Sequence, residues 1–333
     1  MRVTVLGAAM LMLGACGGGT EGSPIAPSAP PSAVVITGQT VGVLDGKAVQ
    51  GTTVAVEGVP PVVSDGNGFF VVEAHASGRY RSTLSGAAVV DRQTTLSVPG
   101  TNMQVSLIPR TFDLAAFDQM FRTSGSHLQR WTQAPALVVV ATELAFASLT
   151  ENRSVASGQR VSDADVSGIV ADLAWGLPQM TGGAFSSFAS VAQEAPAAGS
   201  AVNMQRDGTI VVARYQGLRA ATGYVGFGRW AAQSDGTVTG GVAMFDAEFD
   251  RGAHTDTRVL HVHEMGHALG YSHVLSRASI MNAAPAPGPN AFDLDAARVA
   301  FQRAPGNGSP DVDPNITATT TSAGTPRWGP AIP

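Results

Sequence analysis

The sequence predicts an α+β protein in which an N-terminal antiparallel β-sandwich precedes a larger domain of strands and helices. Three observations predict it. Over residues 34–110, short apolar runs alternate with turn signals and no helical period intervenes. Over 111–305, apolar runs of strand length alternate with stripes of helical spacing. Glycine (39 residues) and proline (20 residues) are too frequent for a helical bundle.

The amino terminus has its own logic. Arg2, an apolar run to Leu13 and the small residues Gly14 and Ala15 have the layout of an export signal over residues 1–15. The run is far short of the roughly 20 apolar residues that span a bilayer. Leu13-Gly14-Ala15-Cys16 resembles a bacterial lipobox, which implies a diacylated Cys16 as the mature N-terminus. An ordinary secretory signal with an incidental cysteine is the alternative. Gly17 after the cysteine implies a cell-envelope lipoprotein sorted to the outer membrane, if the cell has two. Cys16 is the only cysteine, so there is no intramolecular disulfide and no all-cysteine metal site. Residues 16–33, rich in Gly, Ser and Pro, read as a flexible tether.

In the sandwich, strands are expected at 34–36, 53–56, 69–72, 86–90 and 105–108, with turns at Asp45-Gly46 and at 65–68. This stretch is similar to the carboxypeptidase regulatory-like, transthyretin-like family through Gly38, Val54-Ala55-Val56 and Ser64-Asp65-Gly66-Asn67-Gly68-Phe69. The resemblance implies a supporting or binding module with no catalytic residue. A generic sandwich spacer accounts for the same residues.

In the second domain, Phe112, Ala116, Phe117, Met120 and Phe121 have helical spacing, and 137–141 is a buried strand. Ser162 with Asp165 three residues on marks a helix start, and Val166, Ile169, Val170, Leu173 and Leu177 form its stripe. Strands follow at 209–215, 224–230 and 238–245, then helices at 257–269 and 293–302. Residues 306–333, rich in Pro, Gly, Ser and Thr, are expected to be poorly ordered.

The chemistry is concentrated in His263-Glu264-Met265-Gly266-His267-Ala268-Leu269-Gly270-Tyr271-Ser272-His273. On a helix, His263 and His267 project from one face and can share a metal. Glu264 lies about 100° further round, where a carboxylate reaches water beside the metal instead of the metal itself. Gly270 can adopt a left-handed conformation that stops the helix and returns the chain, so that His273 supplies a third imidazole. Three ligands with a fourth position open is the arrangement of a catalytic zinc site. His261 falls about 200° from His263 and faces away. His75, His127 and His254 lie outside the motif, and no ligand role is assigned to them.

With its H-E-x-x-H-x-x-G-x-x-H pattern, the segment resembles the metzincin metallopeptidases, in particular the matrixin-like branch. Met281, in Ser279-Ile280-Met281-Asn282, resembles the methionine of the Met-turn below the metal. The resemblance implies a metzincin-like catalytic domain with a twisted mixed sheet and its edge strand, an active-site helix, a Met-turn and a C-terminal helix. It implies one catalytic Zn2+, and a zinc endopeptidase acting on protein or peptide substrates with Glu264 as general base. It further implies that residues 240–246 form the substrate-binding edge strand, through Gly241 and Ala243, and that Val259 helps floor the S1′ pocket. The segment 283–292 would form the pocket's wall. Met244 stands where matrixins commonly have a histidine for a second, structural zinc. Asp246, Glu248 and Asp250 offer oxygen ligands for Ca2+, although an exposed acidic turn fits them better. A binding lipoprotein with an inactive protease-like domain, and a zinc exopeptidase, are the competing readings. Net charge is −5, with no basic cluster, so nucleic acid is excluded as a partner and a monomer is expected.

Overall fold

The computed structural model describes residues 34–74, 76–122, 127–251, 256–314 and 325–333. Cys16, the export signal and the tether fall outside them, as do His75 and His254. Strict alternation builds the first sheets. The strands are β1 (Val34–Gly42), β2 (Thr53–Val56), β3 (Val62–Val63), β4 (Phe69–Ala74), β5 (Gly78–Ser85), β6 (Arg92–Val98) and β7 (Gly100–Leu107). Every second residue of β4 points inward, so Phe70, Val72 and Ala74 are buried while Phe69 and Val71 face solvent. They join Ile36, Val54, Leu84, Leu96 and Leu107 between a three-stranded sheet, β4-β1-β7, and a four-stranded one, β3-β2-β5-β6.

Two expectations for this part are corrected. The sandwich is not wholly antiparallel, because β7 returns beside β1 in the parallel sense. Residues 86–90, expected as a strand, form the turn between β5 and β6, where Val89 plugs the core. Here the apolar run serves one plug, not a pleated face.

The rest of the chain folds as α1 (Leu114–Phe121), β8 (Ala136–Ala145), β9 (Arg153–Arg160), α2 (Asp163–Met180), β10 (Val191–Glu194), β11 (Ala201–Asn203) and β12 (Thr209–Gln216). After these come α3 (Leu218–Thr222), β13 (Gly226–Ala232), β14 (Val238–Asp246), α4 (Ala247–Asp250), α5 (Thr257–Ala268), α6 (Ala291–Phe301) and β15 (Arg327–Trp328). Ser162 caps α2 by accepting from the Asp165 N–H at 3.1 Å, as the spacing predicts. One sheet runs β11-β9-β8-β12-β14-β13-β15, with β10 also on β8. Strands β8, β12 and β14 are mutually parallel and β13 is antiparallel. β8 and β12 are buried on both faces, which explains their unbroken apolar sequence. Helices α2 and α5 pack on this sheet and on each other, with Gly176 of α2 making room for Val262 of α5.

The predicted class is overturned as well. Strand positions make up 37% of the described residues and helical ones 21%, and the large sheet curls into a half-barrel. The chain is mainly β, and its second part is not the metzincin-like α+β domain expected. The excess comes from strands β5, β6, β9, β10, β11 and β15, which carry polar or mixed sequences.

The tail also departs from expectation. Residues 306–314 form a latch: Arg303 is fully buried and donates to both oxygens of Asp311, at 2.7 and 2.8 Å, and to the Ser106 carbonyl of β7 at 3.2 Å. Arg92 of β6 pairs with Asp313 at 3.0 Å. These bonds join the sandwich to the segment behind α6. Removing one partner of such a pair leaves a buried charge uncompensated. Arg303→Ala is therefore expected to destabilise the protein by about 3–5 kcal/mol in urea unfolding, whereas an unchanged midpoint would show that the latch contributes nothing.

Candidate metal centre

Helix α5 carries the motif on a face turned into the protein, and glycines allow it. A Cβ on Gly226 or Gly228 of β13 would overlap Glu264 or His267, and one on Gly241 of β14 would overlap the Ala268 carbonyl. Strands without side chains at these points let the helix lie close to the sheet. His263, Glu264 and His267 are consequently all buried.

Past α5, Gly270 has φ +107° and reverses the chain, which delivers His273 to the other two. His263 Nε2 lies 3.1 Å from His267 Nε2 and 3.4 Å from His273 Nε2. The ring centroids are 4.7, 4.9 and 5.3 Å apart. Two carbonyls fix the tautomers. His263 Nδ1 donates to Ile280 O at 2.6 Å, and His267 Nδ1 to Tyr271 O at 2.6 Å. With the proton on Nδ1, each Nε2 presents a lone pair to the centre. Burial pushes the His263 imidazole down to about 4 and His267 well below its ordinary value, so both stay neutral at physiological pH. Lone pairs facing one another at such distances repel, and a cation between them removes the repulsion. This is the one cluster of its kind among the described residues, and its donor set fits a metal.

Glu264 is the fourth member. Its Oε2 is buried without a hydrogen-bond partner, and burial pushes its carboxyl well above the usual carboxylate range. A buried carboxylate oxygen left unpaired is costly unless something at the site engages it.

Beneath the histidines, Met281 is fully buried with its sulfur against Gly266. Asp293, the third residue of α6, holds this turn. It accepts from the Ser279 hydroxyl at 2.5 Å, from Ile280 N–H at 3.0 Å and from Asn290 N–H at 2.8 Å. The Ile280 carbonyl then orients His263. Sequence reasoning missed Asp293, although Asn290 followed by Asp293 is a readable capping signal.

His261 faces away from the three, as its angle predicts, but it is not idle. Its two nitrogens engage Asp172 at 3.0 Å and Asp250 at 2.7 Å. Burial alone would lower its pKa, yet these two carboxylates raise it. Asp250 also pairs with Arg214 at 2.5 Å, and Asp246 caps α4 while accepting from Arg219 N–H. The carboxylates of Asp246 and Asp250 are thus buried and engaged within the protein, not part of the exposed acidic turn expected.

Two predicted substrate contacts are misplaced. Gly241 and Ala243 lie on β14, an interior strand whose backbone is already bonded to β12 and β13. An interior strand cannot take up a peptide. The strand beyond it is β13. Val259 does line a cavity, of about 600 Å³, with Val225, Phe249, Leu260, Ala284, Pro285 and Pro287. Asp256 stands in the same lining, a charge the uncharged wall did not include.

Comparison with models of known families and with curated proteins returns no match. Among solved structures, similarity is found to an N-terminal and to a C-terminal interface mutant of a type II cohesin–X-dockerin complex from Acetivibrio cellulolyticus. Identities are 21% and 20%, each over 22% of this chain and 51% of the other, with TM-scores of 0.18 and 0.16. The chain spans about half the length of the structures it matches. Likeness at that level carries no argument about fold or site.

The turn's support makes a measurable claim. Asp293→Ala should free the Ile280 carbonyl to wander and weaken metal binding about 10–100-fold, the usual loss for an outer partner of a ligand. Competition with a chromogenic chelator measures it; unchanged affinity would remove Asp293 from the site.

Proposed function

We propose that the chain is a zinc-dependent metalloendopeptidase of the metzincin type in its site chemistry, with His263, His267 and His273 holding the ion and Glu264 as general base. The observation that carries this reading is the pairing of three neutral imidazoles with an unpartnered, buried carboxylate one residue along the same helix. When bound, zinc supplies Lewis acidity that polarises a scissile carbonyl and makes water acidic enough to ionise near neutral pH. Glu264 takes the proton of the attacking water and hands it to the leaving nitrogen. No side-chain nucleophile is needed, and the sole thiol lies at Cys16.

Strand β13 supports a polypeptide substrate. An extended chain laid beside it can run past the histidines on either side, which favours internal cleavage. The cavity at Val259 would take the side chain after the cleaved bond, and its lining, apolar apart from Asp256, favours a medium or large apolar residue. The N-terminal part would tether the enzyme at the cell envelope through a lipidated Cys16. No described helix is long and apolar enough to cross a membrane.

Glu264→Ala should keep one equivalent of zinc and lose about 10²–10⁴-fold in kcat, whereas His267→Ala should lose the metal too. Wild-type hydrolysis by the metal-loaded Glu264→Ala protein would sink the assignment. Sequencing the products of a peptide library then separates internal cleavage with apolar P1′ residues from release of single terminal amino acids, the exopeptidase outcome. For placement, Cys16→Ser should move the protein out of the membrane fraction, since two or more acyl chains anchor stably. Unchanged fractionation, with no acyl mass on the wild type, would contradict the anchor.

A further inference from the structure

The segment from Arg327 to Pro333 lies along β13 in the antiparallel sense. Arg327 stands opposite Ala232, Trp328 opposite Ala231 and Ile332 opposite Gly228. Gly329 N–H donates to Trp230 O at 2.9 Å, Ile332 N–H to Gly228 O at 2.8 Å, and Gly228 N–H to Ile332 O at 2.9 Å. The side chains are seated as well. The Trp328 ring lies against Gly240 with the Arg229 guanidinium over it at 5.2 Å, and Ile332 packs on the main core. Gly228 is the residue against which His267 and the Glu264 carbonyl rest, so Ile332 is level with the metal-binding turn of α5. The next residue, Pro333, stands beside His263 and His273.

We propose that β13 and the three histidines together form a binding site for an extended peptide, and that residues 327–333 are its intramolecular occupant, an autoinhibitory strap. The strap uses the backbone donors and acceptors that an incoming chain would need and pairs with Gly228, the residue against which His267 packs. It leaves the cavity at Val259 uncovered, since none of that cavity's lining comes from the strap. Being joined to the protein, it competes at an effective concentration in the ~mM range. Inhibition of this kind is competitive, so it raises apparent KM and leaves kcat alone. Only the activity readout rests on the peptidase reading; the binding readouts do not.

The test uses the full chain carrying Gly329→Pro and Ile332→Pro, which delete two strap donors without touching β13 or the histidines. Trp328→Ala serves as a second release variant if the first is unstable. A fluorescein-labelled peptide of residues 327–333 should bind the variants and not the wild type by anisotropy. Hydrogen exchange should show the Gly228 amide protected in the wild type and exposed in the variants. With hydrolysis present, KM should fall about 10-fold or more in the variants at unchanged kcat, as loss of an intramolecular competitor requires. Equal peptide binding by wild type and variants, or equal exchange at Gly228, would overturn the strap. A protein with no hydrolysis in any form but with variant-selective peptide binding would keep the strap and refute the peptidase reading.

Discussion

The close approach of helix α5 to strands β13 and β14 is the constraint from which the rest of the site follows. Side chains at Gly226, Gly228 and Gly241 would hold the helix off the sheet, because their Cβ positions are already filled by Glu264, His267 and Ala268. Contact at this distance removes water from the motif face. Dry surroundings keep His263 and His267 neutral, and they push Glu264 toward its protonated form. The facing imidazole lone pairs repel at these distances, and Glu264 Oε2 is left without a partner. A site of this kind gives up folding energy for readiness, which a surface helix with the same residues would not.

Order outside the helix is set by carbonyls. His263 is aimed by Ile280 and His267 by Tyr271, and neither acceptor is predicted by the residue type that carries it. Asp293 gathers the Ser279–Met281 turn into one hydrogen-bonded knot, so α6 positions a histidine from which it is well separated in sequence. On the far side of α5, His261 ties the helix to Asp172 of α2 and to Asp250 of α4. The helix is therefore held from both faces, by the hydrogen-bonded histidines on one and by a buried charge network on the other.

Legibility from sequence tracked the kind of force involved. The grouping of His263 with His267, the α5 face and the Ser162 cap were readable because each depends on local spacing along one helix. The edge strand was not. Gly240-Gly241-Val242-Ala243-Met244-Phe245 is more apolar than Gly226-Phe227-Gly228-Arg229-Trp230, and an apolar run of that length belongs to a strand paired on both sides. Polar strands such as Arg92-Gln93-Thr94-Thr95 went unseen because ladder hydrogen bonds between backbones need no apolar period. That loss turned a mainly β chain into an expected α+β one. The latch at Arg303 and Asp311 was hidden for the same reason: a buried ion pair eight residues apart leaves no pattern in hydropathy.

The tail shows how composition misleads when backbone bonds decide. Pro326, Gly329, Pro330 and Pro333 read as a segment that cannot pack. A chain on a sheet edge, however, needs only alternate N–H groups to face its partner, and prolines are tolerated where the N–H faces away. Pro330 falls between Gly329 and Ile332, two residues whose N–H groups donate to β13. The proline spacing is thus compatible with strand pairing. It also rigidifies the segment before it docks, which reduces the entropy lost on binding. The same physics would apply to any extended peptide admitted to β13. Affinity there would come from the main chain, and discrimination from the few side chains that reach Gly240, Arg229 and the Val259 cavity.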